Sequence, residues 1–318
     1  MKLSTEVSIA KASNPLTYDS KVLCLGSCFA EHISDKLNYF KFQVTSNPFG
    51  ILFHPEAILN VVEKAVNDQE FTSEDVFQHN DMWHSFFSHS RLSRSSSAET
   101  LAELNSAKNK LTQAIAESSH IILTLGTSFI YRQKSTRQGV ANCHKVPQDQ
   151  FEKKLSTIDE LQRTLNQLIS KAKELNPDVN FIFTISPVRH TKDGIVENQR
   201  SKAHLISALH QVLEKQSNAD YFPSYELMLD EFRDYRFYNR DLIHPNELAI
   251  DLIWEKFKLN YIEDNLKKDM AKVDKLQKSI AHRPIAVSGI EFQKLKAYQH
   301  NLKEELQSNY PFMNFQTL

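Results

Sequence analysis

The chain has 318 residues, a formal net charge of −1 and 41% hydrophobic content, which is enough length and apolar material for a substantial core. Its lysines are interspersed with acids, so no basic field favours nucleic acid, and no segment has the unbroken apolar length of a membrane span or a leader. Three cysteines, Cys24, Cys28 and Cys143, are too few and odd in number for a disulfide framework; a soluble, cytoplasmic protein with at least one free thiol is expected.

In chain order, the apolar run Lys21 to Leu25 predicts a buried strand, and Phe29, Ile33 and Leu37 follow at helical spacing. Phe42 to Thr45 is a second short strand, closed by the turn signal Asn47-Pro48-Phe49-Gly50. His54 to Val66 reads as a helix. Residues 76–96, with Trp83, Phe86 and Phe87, read as an irregular insertion or hairpin. Ala98 to Glu117 has helical periodicity, and His120 to Leu125 is an apolar run rich in β-branched residues that ends at Gly126.

Ile158 to Leu175 is again helical, Asn180 to Ile185 is a strand stopped by Pro187, and Gln199 to Lys215 is a helix after a polar loop with Asp193-Gly194. Tyr221 and Phe222 form a last short strand, before a helix from Asn246 to Tyr261 whose core face is expected to carry Leu248, Leu252 and Leu259. Strands that alternate with helices predict an α/β domain over residues 1–261, with a mostly parallel sheet covered on both faces. Beyond Tyr261 the composition shifts to Lys, Glu, Asp and Gln with spaced apolar residues. This C-terminal helical extension, 262–318, is expected to break near Arg283-Pro284 and to pack on the main domain, or on a partner as a homodimer contact.

Two places carry the elements of nucleophilic chemistry. Gly26-Ser27-Cys28 lies where the first strand passes into a helix, and Asp241-Leu242-Ile243-His244 precedes the last helix of the domain, a spacing that sets an imidazole beside an orienting carboxylate. Three windows resemble the blocks of the SGNH/GDSL hydrolases, an esterase and acyltransferase superfamily: Leu25-Gly26-Ser27-Cys28-Phe29-Ala30-Glu31, Leu125-Gly126-Thr127-Ser128, and Asp241-Leu242-Ile243-His244-Pro245-Asn246. Gly26-Ser27-Cys28-Phe29-Ala30 also matches the signature of the GSCFA family, which is related to those hydrolases. Asn47-Pro48-Phe49-Gly50, Trp83-His84-Ser85, Ser186-Pro187-Val188-Arg189-His190 and Phe232-Arg233-Asp234-Tyr235 resemble the same family, extending the likeness over residues 1–260.

The resemblance implies a flavodoxin-like three-layer α/β/α fold of SGNH-hydrolase type and a Cys28, His244, Asp241 triad. Ser27, which keeps serine chemistry, is the rival nucleophile. A cysteine at a helix N-terminus beside an imidazole is expected to have a lowered pKa. The expected oxyanion donors are the Cys28 N–H, a backbone N–H near Gly50, and the Ser128 hydroxyl standing where the superfamily has asparagine. Arg189 and His190 follow a strand and are read as substrate contacts, with a surface ion pair as the alternative for Arg189. His84 and His89 either line the pocket or anchor the insertion.

No cofactor is implied. Cys24, Cys28 and His32 lack the paired spacing of a zinc site. The expected substrate is a small-molecule or glycan acyl ester, with hydrolysis and acyl transfer both open. The competing reading is a non-catalytic ligand-binding module on the same fold.

Overall fold

The computed structural model describes residues 5–282 and 289–315. The chain begins with β1 (Lys21–Gly26), α1 (Cys28–Tyr39), β2 (Gln43–Ser46) and α2 (Pro55–Val66). An insertion follows with the hairpin β3 (Phe77–His79) and β4 (Met82–His84), and then α3 (Ser97–Glu117) and β5 (His120–Leu125). Three short strands, β6 (Phe129–Gln133), β7 (Gly139–Val140) and β8 (Phe151–Leu155), precede α4 (Ile158–Leu175), β9 (Asn180–Ile185), α5 (Ile195–Leu213) and β10 (Ala219–Phe222). The last helices are α6 (Glu247–Tyr261), α7 (Lys267–Ala281) and α8 (Ile290–Asn309).

The central sheet has the order β10-β9-β5-β1-β2, with every neighbouring pair parallel. Counting only its own strands along the chain and reading from the other edge, the order is 2-1-3-4-5, the flavodoxin-like doubly wound arrangement. Successive residues of a strand point to opposite faces. Leu23 and Leu25, Ile121 and Leu123, and Phe181 and Phe183 accordingly pack against α2 to α5. Val22, Cys24, Ile122 and Ile182 pack on the other side with α1, α6 and the C-terminal helices. Burial on both faces is why these strands read as unbroken apolar runs.

Two expectations are corrected. In α6 the buried residues are Ala249, Ile250, Ile253, Trp254, Phe257 and Tyr261, while Leu248 is 52% and Leu259 45% exposed. The aromatic stripe of Trp254, Phe257 and Tyr261 stacks within itself and on Phe40 and meets Phe222 edge to face, which turns the leucine edge outward. The small antiparallel sheet β7-β6-β8 is absent from the sequence reading, because its strands mix Phe129, Tyr131 and Phe151 with Arg, Lys, Glu and Gln and show no clean period.

The C-terminal helices spend their apolar stripe on the chain's own domain, with Met270, Val273, Leu276, Leu306, Met313 and Phe315 buried in the core that contains α1 and α6. The homodimer expectation had rested on that stripe. The break expected at Arg283-Pro284 lies outside the described residues. Among those residues, no helix is long and apolar enough to cross a membrane.

One residue controls how the sheet delivers its loops. Gly26, at the end of β1, has φ +130°, and a Cβ placed there would lie 2.1 Å from the Thr124 carbonyl oxygen of β5. That close approach lets β1 remain beside β5 and still turn at once into α1, with the Ser27 N–H donating to the same Thr124 oxygen at 3.0 Å. Gly26→Ala is expected to lower stability by about 3 kcal/mol or more, as measured by urea denaturation followed by circular dichroism.

Candidate active site

In an open parallel sheet, the crevice for a ligand lies beyond the carboxyl ends of the strands, where the winding reverses. Here that place is between β1 and β5. The loops leaving these two strands carry Ser27-Cys28 and Gly126-Thr127-Ser128, and the end of β9 brings Ser186 alongside through its N–H to the Leu125 carbonyl (2.8 Å).

Cys28 is the first residue of α1, with Ser27 at the N-cap position. Its thiol is partly accessible, whereas Cys24 is buried in the strand and its thiol is pushed up to about 12 by that burial. Ser27 is 0% exposed, and its hydroxyl has no partner among the described residues. Burial, seconded by the Glu31 carboxylate, pushes the Cys28 thiol up from its ordinary value; the N–H groups of Phe29 and Cys28 and the Lys202 ammonium pull the other way. The net direction reverses the sequence expectation of a lowered thiol pKa. A helix N-terminus does favour the thiolate, but desolvation in this packed crevice outweighs it.

The Asp241 and His244 pair is built by the loop itself. Asp241 Oδ1 accepts from the N–H groups of Ile243 (2.9 Å) and His244 (3.0 Å), and Oδ2 accepts from His244 Nδ1 at 2.7 Å. The two backbone donors and the imidazole hold the Asp241 carboxyl down at about 2. With the Nδ1 proton given to the carboxylate, Nε2 is the nitrogen left to act as a base. The Arg189 N–H donates to the Ile243 carbonyl (3.3 Å) and ties this loop to the end of β9. Asn246 caps α6 through the Ala249 N–H (3.0 Å) and steadies the approach by donating to the Arg236 carbonyl (2.7 Å). No hydrogen bond joins His244 to Cys28 among the described residues.

The proposed oxyanion donors fare unevenly. Ser128 is fully buried; its hydroxyl donates to the Ser201 carbonyl at 2.8 Å and its N–H to Ser201 Oγ at 2.8 Å. The Gly50 N–H donates to the Asn47 carbonyl (2.8 Å) inside its own turn. Both expectations are corrected: the Gly50 proton is claimed inside its own turn, and the Ser128 protons by Ser201 on α5. The Asn47 amide is the group that sequence reading passed over. Its Oδ1 accepts from the Gly26 N–H at 2.9 Å, which fixes the amide orientation, and its Nδ2 is buried with no partner among the described residues.

Of the four expected substrate contacts, His84 is an anchor of the insertion, its ring nitrogens meeting Ser93 Oγ (2.6 Å) and the His79 carbonyl (3.1 Å). His89 and His190 line a cavity of about 480 Å³ whose walls include Phe53, Thr127, Phe129 and Tyr131. Arg189 stacks on the Tyr238 ring at 4.1 Å, with its Nε and Nη2 buried and unpaired. The ion pair weighed as its alternative is not present among the described residues. His190 Nε2 is likewise unpaired. Buried polar atoms are rarely left unpaired in folded proteins, and here those of Ser27, Asn47, Thr124, Arg189 and His190 gather at the carboxyl ends of the central strands.

Sequence reading missed Lys202 altogether. It lies on the buried face of α5, 1% exposed, and its Nζ donates to the Gly126 carbonyl (2.8 Å) and the Ser186 carbonyl (2.7 Å). A signal existed, since a charged residue stands on the same helical stripe as Leu205, Leu209 and Val212. Burial pushes its amine down to about 7, against the opposing pull of Cys28 and Glu226.

The profile of the GSCFA family matches residues 21–257. The chain belongs to the GSCFA family. The matched region runs from the first residue of β1 into α6, and so contains the whole central sheet with Cys28, Lys202, Asp241 and His244. A search of curated proteins finds no significant match. The free cysteines of this GSCFA protein are Cys24, Cys28 and Cys143.

The buried imidazoles give the site a pH signature. Burial first, and then the Lys202 and His244 charges, depress His190 to about 3; burial depresses His54 to about 3. Unfolded histidines titrate near 6.5, so between about 6.5 and 3 the unfolded state binds more protons and stability falls as pH falls. The thermal midpoint is expected to drop through this window, and His190→Gln to make the drop shallower, as read by differential scanning calorimetry from pH 7 to pH 4.

Proposed function

We propose that this GSCFA protein processes acyl esters or thioesters through a covalent intermediate on Cys28. The observation that carries the reading is the Asp241 and His244 pair, oriented by three hydrogen bonds and tied by the Arg189 N–H to the loop after β9, with the His244 charge acting on His32 of α1, the helix that begins at the half-buried Cys28. The order of the blocks along the chain, which resembles that of the SGNH/GDSL hydrolases, supports it. The complete burial of Ser27 favours Cys28 over the rival hydroxyl.

In this reading His244 Nε2 takes the thiol proton as Cys28 Sγ attacks the acyl carbonyl, and Asp241 stabilises the imidazolium. The proton passes to the leaving oxygen or sulfur, leaving an acyl thioester on Cys28. Water or a second acceptor then takes the acyl group, which gives hydrolysis or transfer. The tetrahedral oxyanion is met by the Cys28 N–H at the start of α1 and by the unpaired Asn47 Nδ2, in place of Gly50 and Ser128. Arg189 supplies two uncommitted donors for a carboxylate or phosphate on the substrate. The raised thiol and the missing contact between Cys28 and His244 favour one rival, a non-catalytic ligand-binding module that uses the same crevice; closure on the substrate distinguishes the two, since catalytic contacts often tighten only in the complex.

Intact-mass analysis after incubation with a panel of acyl esters and thioesters is expected to show one acyl adduct, mapped to Cys28. His244→Ala is expected to reduce turnover by about 10³-fold or more while the protein stays folded. Turnover that survives in Cys28→Ala sinks the cysteine nucleophile, and no adduct or turnover with any ester leaves the binding module. Asn47→Asp, which keeps the acceptor for Gly26 and removes the donor, is expected to lower kcat about 10²-fold.

A further inference from the structure

A lysine that is fully buried without a carboxylate ion pair is expensive to keep unless its charge or its lone pair is used. Lys202 is such a residue. The carboxylate that acts on it, Glu226, is already occupied by the Tyr221 hydroxyl at 2.7 and 2.8 Å. Its Nζ has four tetrahedral directions. One is the bond to Cε, and two point at the carbonyls of Gly126 and Ser186, the first residues beyond β5 and β9. Both contacts need N–H donors, and a neutral amine has just two. The fourth direction therefore holds either a third proton or the lone pair, and switching between them disturbs neither strand contact.

The groups that face this amine come from every element packed around it. Cys28 on α1, Glu226 in the turn after β10 and His190 in the loop after β9 act on it or answer it through their charge, and the Tyr225 ring lies 5.4 Å away. Of these, His190 is held neutral by burial and Glu226 is tied to Tyr221. Cys28 is the remaining group whose ionisation answers that of the lysine. Parallel register supports the placement: Gly26 pairs with Thr124, so Cys28 and Gly126 each stand two residues beyond the same rung.

We propose that Lys202 is the positioning residue of the Cys28 centre, clamping the ends of β5 and β9 with two N–H donors and balancing the thiolate with its third proton. The step conserves protons: the thiol proton leaves for His244 Nε2 as in the proposed function, the S–H bond breaking and an N–H bond forming on the imidazole, while the Lys202 ammonium keeps its third proton beside the thiolate. The Cys28 and Lys202 pair is thus neutral once the thiolate forms. This rests on Cys28 as the reactive group of the proposed function, and it does not depend on the acyl chemistry.

The test measures the thiol directly. Iodoacetamide labelling of Cys28 is followed against pH by peptide mass spectrometry, with Cys24 and Cys143 quantified in the same digest. Lys202→Met is expected to move the labelling midpoint up by about one pH unit or more, making labelling at pH 7 roughly tenfold slower. Loss of the two carbonyl contacts also destabilises this variant, so the reciprocal measurement uses the native lysine. In protein labelled at lysine Cε, the NMR titration midpoint of Lys202 is expected to fall in Cys28→Ala relative to the unmodified chain, because linkage is mutual. A purely structural clamp predicts lower stability with no shift in either titration. An unmoved Lys202 midpoint in Cys28→Ala overturns the proposal, whatever Lys202→Met does. Neither readout uses an acyl substrate, so a failure of the acyl-enzyme reading registers separately.

Discussion

The close contact between the Gly26 Cα and the Thr124 carbonyl is the constraint on which the crevice depends. Because no side chain intervenes, β1 and β5 stay in register up to Gly26 and Thr124. The chain then turns directly into α1, which sets Cys28 at the helix start beside the exit of β5. Asn47 braces the same corner, its side-chain oxygen accepting from the Gly26 N–H and its backbone N–H donating to the Cys24 carbonyl. A bulkier residue at position 26 moves the strand, the helix and the thiol together.

Two opposing electrostatic demands meet at that corner. Packing α1 against the sheet buries the thiol and raises its pKa, and the Glu31 carboxylate adds to this. The helix amides and Lys202 oppose it. In the proposed reading, a thiol with this balance is released by a neighbouring base, unlike the preformed thiolates that strongly electropositive sites produce. The Asp241 carboxylate, ionised at any physiological pH, keeps the His244 ring in the tautomer such a role requires.

Much of the fold was legible because it rests on local periodicity. The five central strands and the helices between them follow from apolar runs and 3.6-residue spacing, and the Asp241 to His244 geometry follows from four consecutive residues. The α6 face was misjudged, since leucines and aromatic residues competed for the core and only the ring contacts with Phe40 and Phe222 resolved it. The antiparallel β7-β6-β8 sheet gave no signal, because its pairing partners are joined through loops and its short strands are polar.

By itself, then, the sequence determined the order of strands and helices, the turn that carries Cys28, the self-contained Asp241 and His244 pair, and the family. These depend on neighbours along the chain. Tertiary structure alone decided that Ser128 is committed to Ser201, that Lys202 lies against the ends of β5 and β9, and that the thiol is pushed up and not down. Each of these turns on burial and on contacts between distant segments, and desolvation is a property of the whole packed crevice that no short window of residues contains.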